Sequence, residues 1–273
     1  MSREAWPWIQ ALSLMCLVVL MGTRISAGIF LKRGDTHFRN GRYQEAVREY
    51  DLAITMQPGF LQQIRYHVAY SFLYVQRGLA HLHLGLNKDA VRDFTRSIEI
   101  VPTNEAAYLN RGVANARLGN SEEAIADYST AIDLLPIYAC SYANRALENE
   151  ELGRYQEAFD DLDEALEIRP NYVRAYILRG FLHLEQSRPE AALKDFSQAI
   201  DSQPESQHID SISRFCYGRP NYSMAHLGAG YALLDLNRRR EAKAAITTAH
   251  QLAQQTDQQD LLETTQRLLE TLR

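Results

Sequence analysis

Apolar and small side chains return along most of this chain at a fixed phase, neither alternating nor in continuous runs. A small residue, Gly78, is followed twelve positions later by another, Ala90, and twelve beyond that by Pro102. The same triplet recurs as Gly112, Ala124 and Pro136, as Ala146, Ala158 and Pro170, and as Gly180, Ala192 and Pro204, with a period of 34 residues. Gly34, Ala46 and Pro58 keep the internal spacing one unit earlier, and Gly230 with Ala242 makes a sixth, weaker unit without the proline. Gly41, Gly85, Gly119 and Gly153 fall between the small residues, where a residue free to take positive φ ends a helix. An aromatic or a leucine stands four places after the second small residue: Tyr50, Phe94, Tyr128, Leu162 and Phe196. The pattern predicts two helices per unit, small residues where their axes cross, and a proline that stops the second helix. Such a unit cannot bury its apolar faces alone, so neighbouring units must stack.

The phase breaks twice. Gly34 to Gly78 is 44 residues and Gly180 to Gly230 is 50, against the period of 34. The extra residues fall at 61–70, which read as a lengthened helix, and at 207–222, which read as a polar and aromatic loop. The units are therefore placed near 27–60, 71–104, 105–138, 139–172, 173–206 and 223–256, within an array covering 28–256. Leucines at 261, 262, 268, 269 and 272 predict a capping helix over 257–273 with one wet face.

Composition changes the picture only at the N-terminus. Trp8 to Met21 is apolar except for Gln10 and Ser13, and Ser26-Ala27-Gly28 follows Arg24. A core of this length suits an export signal and is marginal for a membrane span, so residues 1–27 are expected to be a signal peptide or a membrane anchor. That places the repeats in the cell envelope, periplasmic or membrane-anchored, rather than in the cytosol. The net charge of −5 argues against a nucleic-acid partner. Of the three cysteines, Cys16 lies in the leader; Cys140 and Cys216 form no metal-binding spacing and are read as two separate thiols. No His-Glu-x-x-His, Gly-x-Ser-x-Gly or phosphate loop is present, so no enzyme, cofactor or metal site is predicted.

Charged positions repeat as well. One place before the first small residue stand Arg33, Arg77, Arg111, Arg145 and Arg179. Sixteen residues after each comes an acid: Glu49, Asp93, Asp127, Asp161 and Asp195. The sixth unit has Ala229 and Ala245 and loses both together, which predicts that the two positions touch as a structural ion-pair ladder between helices. Glu150, Glu151 and Arg174 form a looser charged cluster, too slight to support chemistry.

The stretch Arg111 to Pro136, RGVANARLGNSEEAIADYSTAIDLLP, closely resembles the tetratricopeptide repeat family, and the resemblance extends over about residues 27–250. The RG-x₆-G pattern with Ala-Ile-x-Asp-Tyr is similar to bacterial members. The resemblance implies an all-α, right-handed superhelical solenoid of about six helix pairs plus the cap. It also implies a scaffold that binds a peptide or protein segment in a concave groove lined by the first helices. Carried over position by position, that groove has Phe72, Val75, Gln76, Leu79, Leu109, Asn110, Val113, Asn144, Leu147, Arg174, Ile177 and Phe181, with Leu227 and Tyr231 beyond them. Asn110 and Asn144 would offer amides to a peptide backbone. Asn144 and Arg174 match two positions of the clamp that some relatives use for acidic chaperone tails, but Leu109, Val113 and Leu178 occupy the rest, so that ligand is not expected. The alternatives are a self-associating homo-oligomer and an accessory subunit of an envelope enzyme complex.

Overall fold

The computed structural model describes residues 26–56, 67–202 and 221–272. Among these residues there are only helices and their connections. Helix α1 spans 26–39 and α2 Tyr43–Thr55. They are followed by α3 (His67–His83), α4 (Asn87–Ile100), α5 (Glu105–Arg117) and α6 (Ser121–Leu134). Next come α7 (Ala139–Glu151), α8 (Tyr155–Ile168), α9 (Val173–Glu185) and α10 (Pro189–Asp201). The last three are α11 (Tyr222–Asp235), α12 (Arg239–Gln255) and α13 (Gln259–Thr271). None of them is long and apolar enough to cross a membrane. The apolar run at Trp8–Met21, Cys16, Cys216 and most of both expected insertions lie outside the described residues. The last four residues of the first insertion, His67–Tyr70, are the opening turn of α3.

Local chemistry sets the helix ends. At the turn inside each pair the chain takes positive φ at Gly41, Gly85, Gly119 and Gly153 (71° to 79°). The residue after each glycine donates its N–H back over five positions, as in Leu86 to the His81 carbonyl (2.9 Å) and Arg154 to that of Asn149 (2.7 Å). In the later pairs the same position is held by Ser187 (φ 54°) and Asn237 (φ 63°), which lack glycine's freedom. The second helices α4 and α8 end on Val101 and Arg169, both extended, because the prolines that follow push them out of the helical region.

In three pairs the first small residue faces the aromatic of the second helix. A Cβ added at Gly34 would lie 2.5 Å from the Tyr50 ring, at Gly78 2.7 Å from Phe94, and at Gly180 2.7 Å from Phe196. These rings are fully buried. Where the second helix carries the slimmer Leu162, the first carries Ala146. In these pairs the small residue is matched to the side chain it faces, which sets how closely the helices pack, and in the last pair Gly230 lies against Ile246.

The chain falls into two units, Met1–Asp127 and Tyr128–Arg273, with the division inside α6. In the first, Ala46, Tyr50, Ala53, Leu73 and Ala80 form a core that Phe30, Leu31 and Phe38 join from α1. A buried polar knot adds to it. Ser71 and Ser97 hydroxyls lie 2.7 Å apart, and Asn104, which caps α5 by accepting from Ala107 N–H, donates to both. In the second unit, Val173, Ile177, Phe196 and the alanines around them form one core. Leu227, Ile246, Ala249, Ala253 and Leu261 form another beneath α13.

Candidate functional site

Each of the five repeated arginines meets its acid. In the first unit Arg33 Nη2 lies 2.8 Å from Glu49 Oε1, and Arg77 Nη2 2.5 Å from Asp93 Oδ1. Arg111 clasps Asp127 with two parallel bonds, Nε to Oδ2 at 2.9 Å and Nη2 to Oδ1 at 2.7 Å. In the second unit Arg145 does the same with Asp161 (3.0 and 2.6 Å) and Arg179 with Asp195 (2.8 and 2.7 Å). The fork geometry suits a carboxylate and fixes the orientation of both side chains.

Three further positions complete the constellation. The remaining guanidinium nitrogen of four arginines reaches back to the preceding helix pair: Arg77 to Asp51 (2.6 Å), Arg111 to Thr95 (3.2 Å), Arg145 to Ser129 (2.9 Å) and Arg179 to Asp163 (2.5 Å). An aromatic ring one turn earlier on the same helix lies 5.3 to 5.9 Å from every one of the five: Phe30, Tyr74, Tyr108, Tyr142 and Tyr176. One turn later, His81, Asn115 and Asn149 bond the second carboxylate oxygen at 3.0 to 3.3 Å, and His183 lies 3.7 Å from Asp195. The sixth unit replaces the whole set, with His226, Ala229, Leu233 and Ala245. Arg77, Arg111, Arg145 and Arg179 are therefore saturated by protein groups and offer little to a ligand, whereas Arg33 is 57% exposed.

The first-helix face is more closed than its sequence implies. Val75, Gln76, Leu79, Leu109 and Asn110 in the first unit are 2–9% exposed, as are Asn144 and Ile177 in the second. They fill the contacts between helices. The expectation that Asn110 and Asn144 present amides to a peptide is corrected accordingly. Asn110 Nδ2 donates to the Ala106 carbonyl of its own helix (2.7 Å), and Asn144 Oδ1 accepts from Arg174 Nη1 (2.7 Å). What the first unit leaves open is Phe72, 43% exposed, with Val113 half-buried. The second unit leaves Leu147, 40% exposed, with Arg174 and Phe181 half-buried. Near Leu147, burial raises the Glu150 carboxyl to about 7, helped by repulsion from Glu185 and Glu151. None of these three carboxylates has an ion-pair partner among the described residues.

A cleft of about 640 Å³ opens in the second unit where α13 closes against α9 and α11. Phe181, Met224, Leu227, Tyr231 and Leu261 give it an apolar lining, and Asp257, Gln258, Gln259, Asp260 and Thr264 give it a polar one. Phe181, Leu227 and Tyr231 were expected on the groove from sequence; the α13 contribution was not, because Leu261 read as part of a capping helix. Cys140, fully buried at the start of α7, is disulfide-bonded, which corrects the reading of separate thiols. Among the described residues, no group of three His, Cys, Asp or Glu side chains is placed to hold a metal ion.

Family comparisons agree with the helix-pair architecture. A profile described as "Tetratricopeptide repeat" matches residues 75–138, a second of the same description matches 27–60 and 173–206, and one described as "TPR repeat" matches 151–187. No curated protein matches the chain. Among solved structures it is similar to the MamA protein, with a TM-score of 0.55 and 22% identity over 65% of this chain and 91% of that one. It is also similar to MamA 41-end from Desulfovibrio magneticus RS-1, with a TM-score of 0.56 and 16% identity over 64% and 94%. A third is YrrB, described as a TPR protein with an unusual peptide-binding site, with a TM-score of 0.50 and 17% identity over 65% and 86%. At these identities the likeness is one of fold.

Proposed function

Because this chain belongs to the tetratricopeptide repeat family, we propose that it is a non-catalytic docking scaffold that holds a protein or peptide segment on its first-helix faces. The observation that carries the reading is the exposure of Phe72 and Leu147, 43% and 40%, on helices α3 and α7, with Val68 also exposed one turn before Phe72 and most other apolar side chains of the two helices packed away. A large apolar group left in water on a rigid helix is what a partner surface uses as an anchor. The fixed arginine ladder supports the same reading, since saturated charges hold the frame and leave recognition to the residues between them. YrrB, similar in fold, is described as having a peptide-binding site.

The test is crosslinking capture from the native host with the full chain and with a Phe72→Ser, Leu147→Ser double variant. Both side chains are exposed, so melting should change little while partner recovery falls at least tenfold. Unchanged recovery would place docking elsewhere.

The proposal includes an extracytoplasmic setting. It is supported by the apolar run Trp8–Met21 and by the disulfide at Cys140, a bond that persists in oxidising compartments. Fractionation of a tagged chain, with peptide mapping of the unreduced protein, tests it. An uncleaved cytosolic chain with a free Cys140 thiol would reject this part.

A further inference from the structure

The cleft beneath α13 is apolar over part of its lining and carries carboxylates at one edge. Its apolar lining comes from three helices, with Phe181 on α9, Met224 and Tyr231 on α11, and Leu261 on α13. Its volume is about 640 Å³, and it is open to solvent on one side. The charged groups of its lining are Asp257 and Asp260, both exposed carboxylates, and no basic residue is among them. Asp257 is held at the turn into α13 by a bond from Gln259 Nε2 (2.7 Å), and it sits at φ 53°. Asp260 is in the first turn of α13. Neither has an ion-pair partner among the described residues.

We infer that this cleft takes a large apolar side chain of a partner segment that carries a lysine or arginine next to it. The apolar lining accommodates the anchor, and the two aspartates meet the adjacent cation at the polar edge. A segment with acidic flanks would face like charge at short range, and a purely apolar one would leave both carboxylates unanswered. The inference rests on the docking reading and assigns that reading a partner chemistry.

The probes are three labelled ten-residue peptides: one with a central phenylalanine flanked by lysines, the same with glutamate flanks, and the lysine form with alanine at the centre. Binding to the full chain is read by fluorescence anisotropy at low and at physiological salt. The expected result is that the first peptide binds, the other two bind at least tenfold more weakly, and salt weakens the first. Asp257→Asn with Asp260→Asn should weaken the first about fivefold without altering the melt, since asparagine tolerates the left-handed backbone at that turn. Met224→Ala should weaken it tenfold.

Equal binding of the glutamate-flanked peptide, or affinity unchanged in the Asp257/Asp260 variant, would overturn the inference. If the lysine peptide instead responds to Phe72→Ser, Leu147→Ser and not to the cleft variants, docking stands and the cleft assignment falls. Self-association that Met224→Ala abolishes would show the cleft occupied by a second copy, and would likewise overturn it.

Discussion

Alanine at Gly78 offers a sharp test of how the helix pairs are packed. In an open helix interior, glycine to alanine stabilises by about 1 kcal/mol. Here the new Cβ would stand 2.7, 2.9 and 3.1 Å from three atoms of the Phe94 ring, which is wholly buried and has nowhere to turn. Overpacking of that kind costs about 1–3 kcal/mol, so Gly78→Ala should be net destabilising by about 1–2 kcal/mol. For a chain of this size that is a fall in Tm of about 2–8 °C. Phe94→Leu alone should also destabilise, by about 1–1.5 kcal/mol, through the volume it empties. The double variant reproduces the Ala146/Leu162 combination that another repeat already uses. It should return to within about 1 kcal/mol of the parent, a coupling of about 1–3 kcal/mol. Urea titration followed by circular dichroism measures all four proteins, with the m-value checked because repeat arrays need not unfold in one step. A Gly78→Ala protein more stable than the parent, or a double variant whose loss is the sum of the singles, would refute the size-matching argument.

Other consequences are testable in the same way. Arg111→Met strands the Asp127 carboxylate, 7% exposed, and should cost about 3 kcal/mol, whereas Arg33→Met, whose side chain is 57% exposed, should cost under about 1 kcal/mol by thermal or urea melts. Ser187→Gly should raise stability by about 0.5–1 kcal/mol in the same assay, because φ there is 54°. Glu150 binds its proton more tightly in the folded chain, with the carboxyl raised from 4.5 to about 7, so stability should fall as pH rises across that window and level off above it. Glu150→Gln should remove that slope and raise Tm at pH 8 by the equivalent of about 1 kcal/mol, a value reduced for the solvent that reaches this half-buried group.

The helix pairs were legible in sequence because their cause is local: a positive-φ residue, a proline and matched small residues recur at fixed offsets. The arginine and acid of each pair could be linked from their joint absence in the sixth unit. The partners at Asp51, Thr95, Ser129 and Asp163 could not, because aspartate, threonine and serine share no obvious pattern until a guanidinium is seen between them. The proposed docking face was the least legible part. Position within a repeat says which way a side chain points, but Leu109 and Asn110 are covered by neighbouring helices, and that depends on how tightly those helices pack. The cleft needed three helices at once, among them α13, which lies outside the repeating pattern.

The pairing of glycine with an aromatic ring, and of alanine with leucine, also bears on how such an array can change its length. Unequal recombination between similar repeats joins the front of one to the back of another. A junction that falls between helix pairs carries each small residue along with its own ring, and the product packs as its parents did. A junction at the turn inside a pair can set an alanine such as Ala146 against a ring such as Phe94, or leave Gly78 facing Leu162 across a void. Whole pairs are thus the exchangeable modules of this chain, and the turn glycines, although the most alike in sequence, are the places where splicing would do the most damage.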